Sequence, residues 1–258
     1  MPERHALLLS GPRQSGKTTL ARLILHDLDH TSGKILFEGE DVTTIQDRKA
    51  RMRFMQQVQP IFQNPFEAFN PLKKVDRYLF ATALNFGIAE HKKSATLVVD
   101  DVLQSVGLSL EEVRGRYPHE LSGGMQKRVA LARALVTDPE IVLFDEPTTG
   151  QDLVRRNAIL SMIAGYQRKL GFTAVLISHD IPDAFFISNR VIALADGRIV
   201  FQGSPEELEK FDHPFVDEFI QSLEGLQEQL TGLHSRRHFK VRYQTALARK
   251  HPQERFAT

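Results

Sequence analysis

The chain has 258 residues, of which 41% are hydrophobic and 25% charged, values typical of a globular protein with one large or two small domains. Its net charge of +1 gives no general attraction to nucleic acid, and the absence of cysteine excludes a disulfide framework and thiolate metal sites. No apolar run approaches the roughly 20 residues of a membrane-spanning helix, and the start of the chain lacks a signal-peptide pattern. We therefore expect a cytoplasmic protein that reaches a membrane only through a partner.

The first predicted unit is a strand, a glycine-rich loop and a helix. Apolar residues 6–9 predict the strand, and apolar residues recur at helical spacing after the loop. The loop has the spacing G-x-x-x-x-G-K-[ST] and reads Gly11-Pro12-Arg13-Gln14-Ser15-Gly16-Lys17-Thr18. In this context the spacing is that of a phosphate-binding loop, whose N–H groups and helix start hold phosphate oxygens. We predict that the loop and Thr19 bind a nucleoside triphosphate, with Lys17 on the β- and γ-phosphates and Thr18 on Mg²⁺.

The rest of the chain predicts strands interrupted by a helical insertion at about 71–137. The stretch 41–55 is charged and shows no clear pattern. Apolar runs predict further strands at 33–39, 58–62, 141–144, 174–177, 191–195 and, after the turn Asp196-Gly197, 198–201. Three predicted helices are marked by Tyr78, Leu79, Thr82, Ala83 and Phe86; by Leu97, Val98, Asp101, Val102, Ser105 and Val106; and by Val154, Ala158, Ile159, Met162, Ile163 and Tyr166. The predicted class is α/β, with a mostly parallel sheet and a helical insertion subdomain.

Two carboxylates, Asp145 and Glu146, follow the apolar run 141–144 directly. A buried strand delivers such residues to the edge of the sheet where α/β proteins bind ligands. We predict that Asp145 binds Mg²⁺ and that Glu146 polarises a water for attack on the γ-phosphate.

A second candidate anion site starts the helix expected from about residue 125. Ser122, Gly123 and Gly124 expose backbone N–H groups there, and Gln126 follows in the first turn. Taken alone, this pattern is more typical of simple helix capping.

The order of these motifs resembles the ATP-binding subunit of an ABC transporter, over roughly residues 5–210. The resemblance implies a P-loop NTPase core that binds and hydrolyses ATP with Mg²⁺. It implies that Gln63 contacts Mg²⁺ and the attacking water and couples to the membrane subunit, and that His179 lies near the γ-phosphate. Ser122 and Gly124 would contact ATP held by another protomer, and Asp152 would occupy the D-loop position.

The resemblance also implies partners. Because the phosphate loop and the Ser122 motif belong to different subdomains, two chains are expected to pair head to tail around two ATP molecules. The pair is a homodimer or includes a second ABC ATPase subunit. It would sit on the inner face of the cell membrane through transmembrane permease subunits, with a possible solute-binding protein and no nucleic acid.

The transported solute stays open. Residues 61–71 and 116–122 resemble the ATPases of dipeptide, oligopeptide or nickel importers, whereas 145–152, 178–183 and 217–227 resemble those of Mla-type lipid transporters. Import of a peptide-like or metal solute is favoured because the region around Gln63 faces the membrane subunit. A soluble ABC ATPase or a regulatory subunit that binds ATP without turnover is the remaining alternative.

The two ends of the chain depart from the family pattern. Only ten residues precede Gly11 and none is aromatic, so the amino-terminal antiparallel sheet is expected to be shortened and adenine recognition weakened. We predict an ABC ATPase domain at 1–235 and a basic tail at 236–258, either a solvated end or a docking arm.

Overall fold

A computed structural model describes residues 5–12, 14–62, 70–178, 187–208 and 210–211, except the side chain of residue 153. The chain divides into two compact units, Met1–Pro205 and Glu206–Thr258. The first unit holds the elements described below except the last short helix, which extends from its final residue into the second unit. The predicted domain boundary after residue 235 lies outside the described residues and stays a prediction.

The first unit is built on a six-stranded sheet in the order β4-β5-β6-β1-β7-β8, with a separate two-stranded hairpin of β2 and β3. All neighbouring strands of the large sheet are parallel except β7 and β8. The strands are β1 Ala6–Ser10, β2 Leu36–Phe37, β3 Glu40–Asp41, β4 Val58–Ile61, β5 Ile141–Asp145, β6 Thr173–Ser178, β7 Arg190–Ala195 and β8 Arg198–Gly203. The predicted mostly parallel sheet is therefore confirmed.

Strand register brings three strand ends to one edge of the sheet. Ser10 of β1 pairs with Ser178 of β6, and Asp145 of β5 pairs with Ile177, also of β6. Because these strands are parallel, the loops that follow them leave the sheet on the same side.

Helices connect the strands, and the described residues between β4 and β5 carry helices and no strand. The α-helices are α1 Lys17–Ile24, α2 Arg48–Gln57, α3 Val75–Asn85, α4 Lys92–Ser105, α5 Leu110–Val113, α6 Gly123–Leu135, α7 Leu153–Leu170 and α8 Pro205–Leu208. Short 3₁₀ helices lie at Val42–Thr44 and Pro118–Glu120. Within the described residues, none of the helices combines the length and the apolar character needed to cross a bilayer.

Helix α2 lies in the charged stretch where the sequence shows no pattern. Asp47 starts the helix by accepting a hydrogen bond from the N–H of Ala50 at 2.8 Å. Phe54 is its one buried side chain and packs in a small cluster with Val42 and Val58. A single buried residue produces no apolar periodicity, so the sequence pattern does not predict this helix.

The predicted helices α3, α4 and α7 are present, but the residues that mark α4 in the sequence lie mostly off its buried side, and those that mark α7 include exposed residues at its start, although Ile159 and Ile163 are buried as predicted. Helix α4 buries Ala95, Val99 and Leu103, whereas Leu97 is 71% exposed. In α7, Val154 at the amino end is 79% exposed, and burial begins at Ile159. Apolar residues lie on more than one side of each helix, so only the packing against neighbouring elements decides which side is buried.

Equal substitutions on two sides of α4 test this assignment. We predict that Leu103→Ala lowers the free energy of unfolding by about 2–5 kcal/mol, because it leaves a cavity at a fully buried position. Leu97→Ala removes the same atoms from an exposed position and should change that free energy by less than about 0.5 kcal/mol. Urea denaturation of the full chain measures both, and equal losses would contradict the described packing.

Candidate nucleotide-binding site

The chain turns from β1 to α1 through a loop that requires glycine at its start. A Cβ atom at Gly11 would collide with the carbonyl oxygen of Leu194 and lie 2.6 Å from the Oγ of Ser15. Gly16 has φ 97°, and no side chain caps α1. The first N–H groups of the helix are therefore open to a ligand, and the helix dipole favours an anion there.

Lys17 lies inside this loop. Its Nζ donates hydrogen bonds to the carbonyl oxygens of Gly11 at 2.9 Å and Pro12 at 2.8 Å, and the residue is only 6% exposed. Burial lowers the pKa of Lys17, while Glu146 and Asp145 act in the opposite direction. The fold thus brings the loop cation and the two predicted acids within electrostatic range of one another.

Asp145 and Glu146 occupy different environments at the end of β5. Asp145 is buried, and its pKa is raised by burial and by Glu146, with Lys17 partly offsetting both. The backbone turns sharply at Glu146, whose φ is 51° and whose N–H donates to the carbonyl of Ile177 at 2.9 Å. The Oγ1 of Thr149 donates to Glu146 Oε2 at 2.6 Å. Asp145 is thus desolvated, and Glu146 is half-buried and held by a hydroxyl.

Three of the buried side-chain polar atoms that have no hydrogen-bond partner among the described residues lie at the loop or at the strand ends beside it. They are the Oγ of Ser10, the Oγ of Ser15 and the Oδ1 of Asp145. A buried polar group without a hydrogen bond costs about 1–3 kcal/mol and points to an absent ligand or ion. The oxygen atoms of Thr18 and Asp145 are the type of ligand that Mg²⁺ takes, usually with phosphate oxygens and water. The residues present therefore fit a nucleotide with its magnesium ion.

The described residues hold no group of three or more histidine, cysteine or acidic side chains that could bind a metal by themselves. A magnesium ion here would depend on oxygens of the bound nucleotide. Thr18 and Thr19 are exposed in the first turn of α1, beside the open N–H groups.

The second predicted anion site caps a helix. The Oγ of Ser122 accepts from the N–H of Met125 at 3.3 Å, and a Cβ at Gly123 or Gly124 would meet nothing within 4 Å. The Gln126 amide instead donates to the carbonyls of Pro118 and Leu121, at 2.9 and 3.3 Å. The glycine pair is therefore open to an approaching ligand, while the Gln126 amide holds its own loop.

Asp152 caps α7 in the same way. Its Oδ1 accepts from the N–H of Arg155 at 2.9 Å, and the two side chains form an exposed ion pair at 3.3 Å. Its predicted contact with a nucleotide stays a prediction.

Three predicted site residues, Arg13, Gln63 and His179, lie outside the described residues. Gln63 follows β4 by two positions, and His179 directly follows Ser178 at the end of β6. Sequence reasoning missed Ser10 and Thr149. Each could have been recognised in the sequence. Ser10 is a polar residue at the end of an apolar strand, and Thr149 is a hydroxyl residue three positions after the acid Glu146.

We predict that replacing the Asp145 carboxylate by an amide stabilises the ligand-free protein at neutral pH. Burial raises the pKa of Asp145 above its usual 3.8, so the folded protein binds this proton more tightly than the unfolded chain. The charge therefore lowers the free energy of unfolding as the pH rises from about 4. In urea denaturation, the Asp145→Asn variant should have a larger free energy of unfolding than the parent at pH 7. The difference between the two should shrink as the pH falls toward about 4.

The exposed Asp101 provides the matched control, since Asp101→Asn removes a solvated carboxylate and should bring no such gain. An Asp145→Asn protein no more stable than the parent at pH 7 would show that burial of this carboxylate carries no cost.

Comparisons with known proteins agree with this geometry. Residues 1–149 match the family model described as ABC transporter. The chain is 34% identical over 215 residues to the oligopeptide transport ATP-binding protein AmiF of Streptococcus pneumoniae, covering 83% of this chain and 68% of that protein. It is 32% identical over 220 residues to the oligopeptide transport ATP-binding protein OppF of Bacillus subtilis, covering 85% and 72%.

A solved structure is similar in fold. The chain superposes on cbiO1 from Clostridium perfringens, part of the ABC transporter complex cbiONQ, with a TM-score of 0.71, 26% identity and coverage of 90% and 89%. The resemblance and the fold class predicted from the motif order are therefore confirmed, and so is the prediction of an ATPase. The family model covers more than half of the chain and these relatives align over most of it, so the chain belongs to the ABC transporter family, among its ATP-binding proteins.

Proposed function

We propose that this chain is the energy-coupling ATPase of a membrane importer whose solute is an oligopeptide or a related small molecule. The relatives named for oligopeptide transport support this, together with the resemblance of residues 61–71 and 116–122 to peptide-importer ATPases. Transport of nickel or lipid remains an alternative that the same assay distinguishes.

The observation that carries the ATPase chemistry is the desolvated cation and carboxylate at one edge of the sheet. Lys17 and the open N–H groups of α1 bind the phosphates, with Ser15 contributing a buried hydroxyl. Glu146 accepts a proton from the attacking water, and the Thr149 hydroxyl orients its carboxylate. Mg²⁺, held by Thr18, Asp145 and Gln63, would neutralise charge on the phosphate oxygens. His179 completes the set near the γ-phosphate.

The open start of α6 supports a site shared between two chains. Ser122, Gly123 and Gly124 are exposed in the single chain, and a second copy or a paired ATPase subunit offers them a nucleotide. Asp152, exposed at the start of α7, lies at the same interface. Closure between two chains would exclude water from the phosphates and strengthen each contact with them.

Coupling to transport requires membrane partners. Gln63, next to the end of β4, contacts transmembrane permease subunits on the inner face of the membrane, and a solute-binding protein delivers the solute. The assay uses proteoliposomes with the chain and the membrane subunits that copurify with it. ATP-dependent uptake of a labelled pentapeptide is expected, and transfer of Ni²⁺ or labelled phospholipid instead would overturn the peptide assignment.

We predict that Glu146→Gln lowers kcat for ATP by about 10²–10⁴-fold, because the amide cannot accept a proton. ATP affinity should stay within about threefold, since Lys17 and the loop are unchanged. Lys17→Ala should instead abolish nucleotide binding, because the phosphates lose their cation. Phosphate release and nucleotide binding of the purified chain measure these effects.

Glu140→Gln is the control for these variants, because Glu140 is an exposed acid at the opposite end of β5. It should leave both kinetic constants unchanged. Full turnover by Glu146→Gln would remove Glu146 from the role of base.

Mixed dimers test the shared site. Lys17→Ala and Ser122→Arg chains should each be inactive, yet their equal mixture should recover about a quarter of the parent rate, because half of the dimers are mixed and each has one intact site. Mixing Lys17→Ala with Glu146→Gln should recover nothing, since each variant spoils its own phosphate site. Equal recovery in both mixtures would contradict a shared site.

A further inference from the structure

The carboxyl end of α4 receives hydrogen bonds from side chains of two other helices. The Tyr166 hydroxyl of α7 donates to the carbonyl of Val106 at 2.7 Å, and Lys169 Nζ of the same helix donates to the carbonyl of Ser105 at 3.1 Å. From α6, Arg128 Nη1 donates to the carbonyl of Gly107 at 2.7 Å. The α4 latch is defined here as Arg128, Tyr166 and Lys169 with the carbonyl groups of Ser105, Val106 and Gly107.

Helix physics explains why these donors gather here. The last carbonyl groups of an α-helix have no partner within the helix, and its negative dipole end favours cations. Gly107, with φ 71°, ends the segment, and a Cβ there would lie 3.5 Å from Arg128 Nη1 and 3.9 Å from the Tyr166 hydroxyl. Two cations and a phenol therefore converge on three successive carbonyl groups.

The latch does more than cap one helix, because its donors come from separate parts of the fold. Helix α4 and helix α6 belong to the insertion between β4 and β5, whereas α7 follows β5. Arg128 also donates from Nε to the carbonyl of Gly124 at 3.4 Å, so it connects the latch to the open glycine pair. The latch thus joins the insertion and the start of α6 to a helix of the core.

Helix α7 extends this connection from the latch to Asp152. Asp152 caps it at the start, and Tyr166 and Lys169 lie in its last turns. At a rise of about 1.5 Å per residue, its 18 residues span about 27 Å. One continuous helix therefore runs from its cap at Asp152 to the contact that holds α4.

We propose that Tyr166 and Lys169 are positioning residues that orient the Ser122–Gly124 segment for the nucleotide bound by another protomer. They act through the end of α4 and through Arg128, which ties that end to Gly124. This inference rests on the proposed shared site and adds residues that contact neither nucleotide. Without the latch, the insertion would be less restrained relative to the core, and closing the dimer would cost more free energy.

The test measures ATP-dependent dimerisation of the full chain in the Glu146→Gln background by sedimentation velocity. Tyr166→Phe removes the hydroxyl and keeps the ring. It should raise the dimer dissociation constant, because closing the dimer must then supply restraint that the hydrogen bond supplies in the free chain. We expect a rise of at least about twofold and at most about 25-fold, the full worth of one hydrogen bond (about fivefold) in each of two protomers. ATP binding by the monomer should not change, because the phosphate loop is untouched. A dissociation constant equal to that of the background protein would overturn the proposal.

Tyr78→Phe is the matched control, since it also removes a hydroxyl that bonds to backbone, at Asn70, but within the insertion. It should leave dimerisation unchanged, and an equal weakening would show a general loss of stability and overturn the proposal. Lys169→Met should weaken dimerisation, and Lys169→Arg should restore it to within about twofold, as an arginine keeps the charged donor. Because Lys169 is exposed, its two variants keep the test decisive if Tyr166→Phe does not fold. If the background protein itself forms no dimer with ATP, the shared site fails rather than the latch.

Discussion

The burial of Lys17 is the constraint on which the site depends. Its ammonium group is withdrawn from water, which lowers its pKa, and it donates hydrogen bonds to two loop carbonyl groups at 2.8–2.9 Å. The carboxylates of Asp145 and Glu146 favour the charged form from a strand that is not adjacent in the chain. Parallel pairing in the order β5-β6-β1 brings them there. The sheet therefore supplies two negative charges that offset part of the cost of burying this cation.

The balance is incomplete, and that is a property of a site prepared for a ligand. Asp145 Oδ1 and the hydroxyls of Ser10 and Ser15 are buried without partners among the described residues, and the start of α1 is uncapped. Each of these groups lowers the stability of the free protein, and this cost is removed when the group contacts a bound phosphate or cation. Apolar packing supports this arrangement from below, since the strand ends and α1 share one cluster of Leu9, Ala21, Leu143, Ile177 and Leu194.

Membership of the ABC transporter family gives a reason for the open glycine pair at the start of α6. In the proposed dimer, the helix start that is capped by Ser122 and unobstructed at Gly123 and Gly124 receives the nucleotide held by the other chain. The same proposal gives the α4 latch a purpose, because a displacement of about 1 Å at one chain's glycine pair would misplace it relative to the other chain's phosphates.

The sequence alone determined the features that depend on short spacing. The loop from Gly11 to Thr18, the acid pair after residue 144 and the capping serine at 122 are local, because the residues that must cooperate lie within one turn or one strand end. Tertiary structure alone decided the order of the strands, the buried side of α4 and the existence of α2, where Phe54 is the one buried side chain. It also decided that the Gln126 amide donates a hydrogen bond to its own loop and that the Thr149 hydroxyl donates one to Glu146. These outcomes depend on partners distant in the chain, and apolar periodicity carries no record of which neighbour a residue will meet.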